Sequence, residues 1–289
     1  MVRHPVKYLE FMITTTCNLS CEGCDRFIEY NHNWTANYEQ IINEIKNWSR
    51  RLKPKNVALL GGEPLIHPEF YNILRKTRKN FKSSRIEIFT NGLLLHNKEK
   101  LIEVCHEVGN VKILVSIHNR QKNIRNHVLK NVVDYLVKDY DWEKKEDTEN
   151  YYIHKDIKFE IVDHTRESNW VSYRKKVNGN LKPWNQGYPN LSYDNCVVKH
   201  IPIIYKNRLY KCPPISLVRT HLEKFKLEND PDWKPYYNYK GLGLDCSEYE
   251  MQNFIDNIYK PQSICNMCPV NLNGVSQPEA ILKHKLKAV

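Results

Sequence analysis

Apolar and polar positions change period again and again along the first half of the chain. Lys7 to Thr14 (KYLEFMIT) reads as a strand, and Tyr38 to Leu52 sets Ile41, Ile42, Ile45, Trp48 and Leu52 on one helical face, with Pro54 as its stop. Asn56 to Leu60 (NVALL) is a buried-strand run ending at Gly61-Gly62, and Pro68 opens a second helix whose Phe70, Ile73, Leu74 and Thr77 face inward. Arg85 to Thr90 alternates as a strand and ends in Asn91-Gly92. A helix from about Lys98 to Val108 follows, then a strand from Val111 to Ile117. Ile124, Val128, Val132 and Leu136 mark another helix, and Ile157 to Val162 a further strand. Strands alternating with helices predict an α/β fold with a parallel sheet. The charged run from Trp142 to Asn150 reads as a surface loop.

The pattern changes after about residue 165. Pro183 to Pro189 (PWNQGYP) is turn-rich, and Val197 to Tyr205 and Arg208 to Cys212 flank Lys206-Asn207 as a β-hairpin. Ser247 and Glu250 form a capping box that opens a helix to about Tyr259. A division into residues 1–180 and 181–289 follows from this change of pattern.

Composition narrows the setting. With 41% hydrophobic and 27% charged residues over 289 positions, the chain reads as globular. It has no apolar run long enough for a transmembrane helix and no secretory signal, so a cytoplasmic location is expected and no membrane partner. Nine cysteines in a reducing compartment point to metal or redox chemistry rather than disulfides. The net charge of +11 suits an acidic electron donor such as flavodoxin or ferredoxin. Lys and Arg are spread along the whole chain, so a solvated basic surface is favoured over nucleic-acid binding.

Cys17, Cys21 and Cys24 fall within eight residues, on a loop after a strand. Three thiolates suit three irons of one cubane, and a missing fourth ligand leaves one iron open. Zinc, with Asp25 or a distant histidine as fourth ligand, is the competing reading. The Cys-x-x-x-Cys-x-x-Cys spacing after a first strand, followed after the next strand by Gly61-Gly62-Glu63-Pro64, resembles the radical S-adenosylmethionine (SAM) superfamily over roughly residues 7 to 165.

The resemblance implies a partial (β/α)6 barrel. It also implies a [4Fe–4S] cluster that binds SAM, and reductive cleavage of SAM to a 5′-deoxyadenosyl radical that takes hydrogen from a substrate. The Gly61-Gly62-Glu63-Pro64 backbone would then hold the amino group of SAM, with Asn91 and Ser116 as further contacts. For those last two, turn chemistry and a buried hydroxyl are the bland alternatives. Gly23 departs from the family pattern, which often places an aromatic residue before the third cysteine, so an adenine contact must come from elsewhere.

Cys196, Cys212, Cys265 and Cys268 form a second set, which resembles the twitch extension, a shortened SPASM domain, and implies an auxiliary, fully ligated [4Fe–4S] cluster. Zinc again competes. Asn207, with four residues between it and Cys212, stands where such domains often carry glycine. Cys246 is a spare, and Cys105 shares an apolar helix face with Leu101 and Val108.

A fully ligated cluster passes electrons rather than binding substrate. This layout resembles the radical SAM dehydrogenases of aminocyclitol biosynthesis, so oxidation of a small polar substrate is the first expectation. A peptide-modifying maturase is the alternative, although the sixteen residues ahead of Cys17 leave no room for a leader-binding domain. A metal-stabilised RNA-binding protein without catalysis is the third reading. His118, Asn119, Arg120, Asp163, His164 and Arg166 follow strands, where α/β proteins bind ligands, and none is assigned as a catalytic base.

Overall fold

The computed structural model describes residues 3–97, 100–117, 122–133, 142–144, 151–163, 172–271 and 280–282. The strands are β1 (His4–Thr14), β2 (Leu19–Cys21), β3 (Leu52–Gly61), β4 (Arg85–Thr90), β5 (Val111–Ile117), β6 (Glu143–Lys144), β7 (Tyr151–His154) and β8 (Ile157–Asp163). They continue as β9 (Lys175–Val177), β10 (Asn180–Lys182), β11 (Ile203–Tyr205), β12 (Arg208–Tyr210), β13 (Leu242–Gly243) and β14 (Ala280–Leu282). The helices are α1 (Tyr38–Arg51), α2 (Phe70–Asn80), α3 (Lys100–Val108), α4 (Lys122–Val133), α5 (Pro189–Asp194), α6 (Pro213–Phe225), α7 (Lys234–Tyr237) and α8 (Glu248–Ile258).

Ten strands form one sheet in the order β13-β12-β11-β1-β3-β4-β5-β8-β7-β6. The six central strands, β11, β1, β3, β4, β5 and β8, run parallel, and antiparallel strands extend both edges. With α1, α2 and α3 as crossovers, this is the α/β partial barrel that the alternation and the family resemblance imply. The convex face carries the main core. Leu9, Phe11 and Ile13 of β1 are buried there with Ile41, Ile45 and Trp48 of α1, Phe70, Ile73 and Leu74 of α2, and Leu101 and Cys105 of α3. Because successive strand residues point to opposite faces, Tyr8, Glu10 and Met12 are turned the other way. There Tyr8 Oη donates to Glu87 Oε2 at 3.1 Å, and Lys112 pairs with Glu160. The concave face therefore carries charged and polar side chains beside the apolar Met12.

Several expectations change in detail. Pro54 does not stop α1: that helix ends at Arg51 with Leu52 already extended, and Pro54 lies inside β3 opposite Val6. It is tolerated because β4 joins β3 only from Asn56 onward. The charged run is not simply a loop. Trp142 is buried with its ring 5.9 Å from that of Phe159, and Glu143–Lys144 pair with β7, while 145–150 lie outside the described residues. The sequence pattern missed β7, α5 and α6.

In the second half, β11 and β12 form the expected two-residue hairpin, with Lys206 and Asn207 both at positive φ. The capping box of Ser247 and Glu250 is formed at the start of α8. A second cluster of buried side chains, including Met12, Phe27, Tyr205, Leu217, Trp233 and Met267, packs the second half against the concave face. The division expected between residues 180 and 181 falls within β10.

Candidate active site

A cavity of about 520 Å³ opens at the C-terminal ends of the parallel strands. Cys17, Cys21 and Cys24 line it together with Gly61, Gly62, Asn91 and Ser116. The thiol-bearing loop leaves β1 and is held by two N–H groups of the glycine turn: Gly62 donates to Thr14 O and Glu63 to Thr16 O, each at 2.9 Å. The approach is so close that only glycine fits. A Cβ on Gly61 would stand 2.3 Å from Thr14 O, and one on Gly62 would stand 2.3 Å from Thr16 O and 2.8 Å from Cys17 Cβ.

Glu63 is not among the residues that line the cavity. Its fully buried carboxylate accepts from Leu65 N at 3.1 Å, Thr90 Oγ1 at 2.9 Å and Asn91 N at 2.8 Å, tying the end of β3 to the end of β4. Asn91 combines turn chemistry with reach. Its Oδ1 accepts from Leu93 N at 3.1 Å, while Nδ2 donates to Asn18 Oδ1 at 2.6 Å and lies 3.7 Å from Cys17 Sγ. Leu19 N donates to the same sulfur at 3.4 Å. Gly23 has φ of 74°, a left-handed conformation that an aromatic residue would strain to adopt, which gives a physical reason for the missing ring.

The sequence pattern gave no hint of the charged wall. Arg26 donates to both carboxylate oxygens of Asp25, at 2.6 and 2.7 Å, and to Glu10 Oε2 at 2.7 Å, and all three residues line the cavity. Burial raises the Glu10 carboxyl to about 7 against the opposing pull of Arg26. The Cys24 thiol is pushed up to about 12, first by burial and then by Asp25 and Glu29. Arg174 donates to Cys24 O at 2.8 Å, pairs with Glu29 and lies 4.1 Å from the Phe27 ring centroid. It therefore holds the third thiol's loop from below. The C-terminal β14 pairs antiparallel with β2 of the same loop.

Cys196, Cys212, Cys265 and Cys268 surround a second, small cavity of about 20 Å³. Cys196 follows α5, Cys212 is the N-cap of α6, and the last two lie on and just after the 3₁₀ turn Ser263–Met267. The turn-rich segment docks this last loop, with Trp184 N on Met267 O and Asn185 N on Asn266 O, each at 3.0 Å. Burial raises the pKa values of all four thiols, that of Cys196 to about 11. Electrostatic repulsion from neighbouring thiolates adds to this at Cys196, Cys212 and Cys268. Four such thiols ionise together only with a positive centre among them. Among the described residues, no three His, Cys, Asp or Glu side chains converge closely enough to hold a single metal ion.

The donors of both sites suit iron–sulfur clusters, since every candidate ligand is a thiol and none of the nine cysteines is in a disulfide. Cys246 stands apart from both sets, with Arg51 Nη2 3.5 Å from its sulfur, and Cys105 is core. His118, Asn119, Arg120, His164 and Arg166 lie outside the described residues, and Asp163 is described only as the last residue of β8.

A family profile described as the radical SAM superfamily matches residues 11–147. The chain carries a radical SAM domain. Members of that superfamily use a [4Fe–4S] cluster and SAM. The domain is 32% identical over 116 residues to GTP 3′,8-cyclase of Microcystis aeruginosa, covering 39% of this chain and 34% of that one. It is also 32% identical over 125 residues to GTP 3′,8-cyclase of Aquifex aeolicus, covering 41% and 38%. The chain thus spans about a third of the length of the curated relatives it matches. Among solved structures, BtrN in complex with AdoMet and 2-DOIA matches with a TM-score of 0.51 at 15% identity, over 96% of this chain and 97% of that one. At that identity the likeness is one of fold. Among the described residues, no helix is long and apolar enough to cross a membrane.

Proposed function

We propose that the chain is a radical SAM enzyme that oxidises a small polar substrate, with Cys17, Cys21 and Cys24 holding the SAM-binding cluster and Cys196, Cys212, Cys265 and Cys268 an auxiliary one. In this reading residues 1–180 are the catalytic core and 181–289 the auxiliary-cluster domain, located in the cytoplasm and supplied by an acidic electron donor. Gly61, Gly62, Glu63 and Pro64 form the turn that receives the amino group of SAM, and Asn91 and Ser116 complete that wall. Bound there, the cluster and SAM supply a 5′-deoxyadenosyl radical that removes a hydrogen atom, and the second cluster takes the electron the substrate radical gives up.

The observation that carries this reading is the shared boundary of the two thiol sites. Val197 and Val198, directly after Cys196, line the large cavity. So does Tyr173, which is buried in the same apolar cluster as Cys268, with Cys196 and Cys212 packed against it. An electron leaving a substrate in the large cavity therefore has an acceptor behind one wall. The hydroxyl proton of an alcohol substrate goes to a wall carboxylate. Asp25, with its side chain 17% exposed, is more accessible for this than Glu10 at 2%.

Cyclisation of a nucleotide is the second reading, favoured by the identity of the domain to the two GTP 3′,8-cyclases. Against it, the described cavity wall carries two carboxylates and a single guanidinium engaged by both, which leaves no cation there for a triphosphate.

Anaerobic reconstitution should give about eight irons per chain. Replacing Cys17, Cys21 and Cys24 together by Ala should leave about four irons and abolish SAM cleavage. Cys265→Ala should keep SAM cleavage and lose product. Deuterium passing from a labelled polyol or amino-polyol into 5′-deoxyadenosine, with a carbonyl product, supports oxidation; deuterium passing from labelled GTP supports cyclisation. Zinc at both sites with no iron would defeat the proposal.

A further inference from the structure

Lys211 is an unusual residue to find next to four thiols. It precedes Cys212, is only 1% exposed and lines the four-cysteine cavity. A lysine side chain that deep is costly unless its charge is compensated. Its ammonium donates to Ile258 O at 2.5 Å and Lys260 O at 2.6 Å, the carbonyls at and just beyond the C-terminal end of α8. It also stands 5.0 Å from the Tyr193 ring centroid. Of its three donors, two are directed at carbonyls. Burial works against that charge, and the thiols of Cys265, Cys212 and Cys196, which line the same cavity, favour it once ionised. Lys199, half-buried, lines the same cavity, its Nζ 2.7 Å from Asp194 O.

We propose that Lys211 is a positioning residue that sets the reduction potential of the auxiliary cluster, its buried positive charge making that cluster an electron acceptor. This rests on the four-cysteine site being an iron–sulfur cluster. A cubane on four thiolates is doubly negative when oxidised and triply negative when reduced. Net charge, hydrogen bonding and burial govern its potential. A fixed positive charge in a medium of low dielectric favours the more negative, reduced form, and screening by solvent is weakest where exposure is least. Lys199, half-buried and better screened, should act in the same direction but more weakly. A lysine whose only task was to cap α8 would be replaceable by any pair of donors without electrical effect.

The test is a redox titration of the reconstituted protein followed by electron paramagnetic resonance, in wild type, Lys211→Met, Lys211→Gln and Lys199→Gln. Iron is counted first. About four irons in the wild type, or zinc at the second site, overturns the cluster reading and this inference with it. About eight irons with an unmoved potential overturns the inference alone.

The expected result is a tenfold or greater shift toward the oxidised form in Lys211→Met and Lys211→Gln, about 59 mV for one electron. The first cluster's potential should stay unchanged. Gln keeps two N–H donors for the carbonyls of Ile258 and Lys260, so an equal shift in Gln and Met supports charge, and a shift in Met alone overturns it. If neither variant loads iron, Lys199→Gln decides the question: a two- to threefold shift in the same direction supports the inference, and no shift overturns it.

Discussion

Glu63→Gln is the most discriminating change that the core offers. The carboxylate is wholly buried and accepts three hydrogen bonds, two at Oε1 from Leu65 N and Thr90 Oγ1 and one at Oε2 from Asn91 N. Glutamine has almost the same shape but only one acceptor oxygen. In its cheaper orientation it keeps the two bonds at Oε1 and turns its amide nitrogen toward Asn91 N–H, donor against donor. A bond to a charged group is worth about 1.5–3 kcal/mol, and a stranded buried donor costs about 1–3 kcal/mol. Because the two terms overlap, the net loss should be about 3 kcal/mol. Urea unfolding of the metal-free chain at neutral pH measures it as a fall in unfolding free energy at constant slope. Thr90→Val combined with Glu63→Gln should lose about 1 kcal/mol less than the sum of the single variants, because they share a bond. A loss below about 0.5 kcal/mol for Glu63→Gln would show that the carboxylate does not tie β3 to β4.

Three further outcomes follow from the geometry. Burial raises Glu44 on α1 from its ordinary 4.5 to about 7, against hydrogen bonds from Gln40 and from the backbone of Asn207. The native chain therefore holds that proton more tightly than the unfolded one, and the stabilisation present below the unfolded value is lost as pH rises through 7. Between pH 5 and 8 the wild type should lose about 2 kcal/mol more than Glu44→Gln, read by urea unfolding at each pH. Gly62→Ala forces a Cβ against Thr16 O and Cys17 Cβ, so it should lower SAM affinity more than tenfold in equilibrium dialysis and leave about four irons, those of the second site. Arg174→Lys cannot reach Cys24 O and Glu29 together from its position against Phe27, and should cost about 3 kcal/mol in urea unfolding.

Much of the first half was legible because its strands and helices have clean periods. Arg85–Thr90 and Val111–Ile117 form where the alternation places them, and Phe70, Ile73, Leu74 and Thr77 are the buried face of α2. The short edge strands β6 and β7 were missed because two or four residues do not make a pattern. The start of α6 was hidden by Pro213-Pro214, which reads as a break although proline suits a helix's first turn, and Leu217, Val218 and Leu222 then supply the apolar stripe. The cysteine spacing marked both thiol sets. What spacing cannot reveal is who faces whom across the barrel: Glu10 meets Arg26 from a different element, Asn91 reaches Cys17 from another strand, and Lys211 is buried against the end of a helix that begins 37 residues later, at Glu248. Tyr173 and Arg174 lie in a stretch without periodicity, and their roles come wholly from tertiary contact.

The parallel pairing of β11 with β1, Glu10 opposite Ile203 and Phe11 opposite Ile204, has a mechanical consequence. The strand that feeds the first thiol loop lies two places from β12, the strand that feeds Cys212, so the frame between the two thiol-bearing regions is about two interstrand steps wide, roughly 9.6 Å, fixed by backbone ladders. No hinge can open there without tearing the sheet. An electron crossing between those regions would tunnel over a span that thermal motion hardly modulates, and two fragments cut between β8 and β11 would each inherit a raw sheet edge in place of an enzyme half.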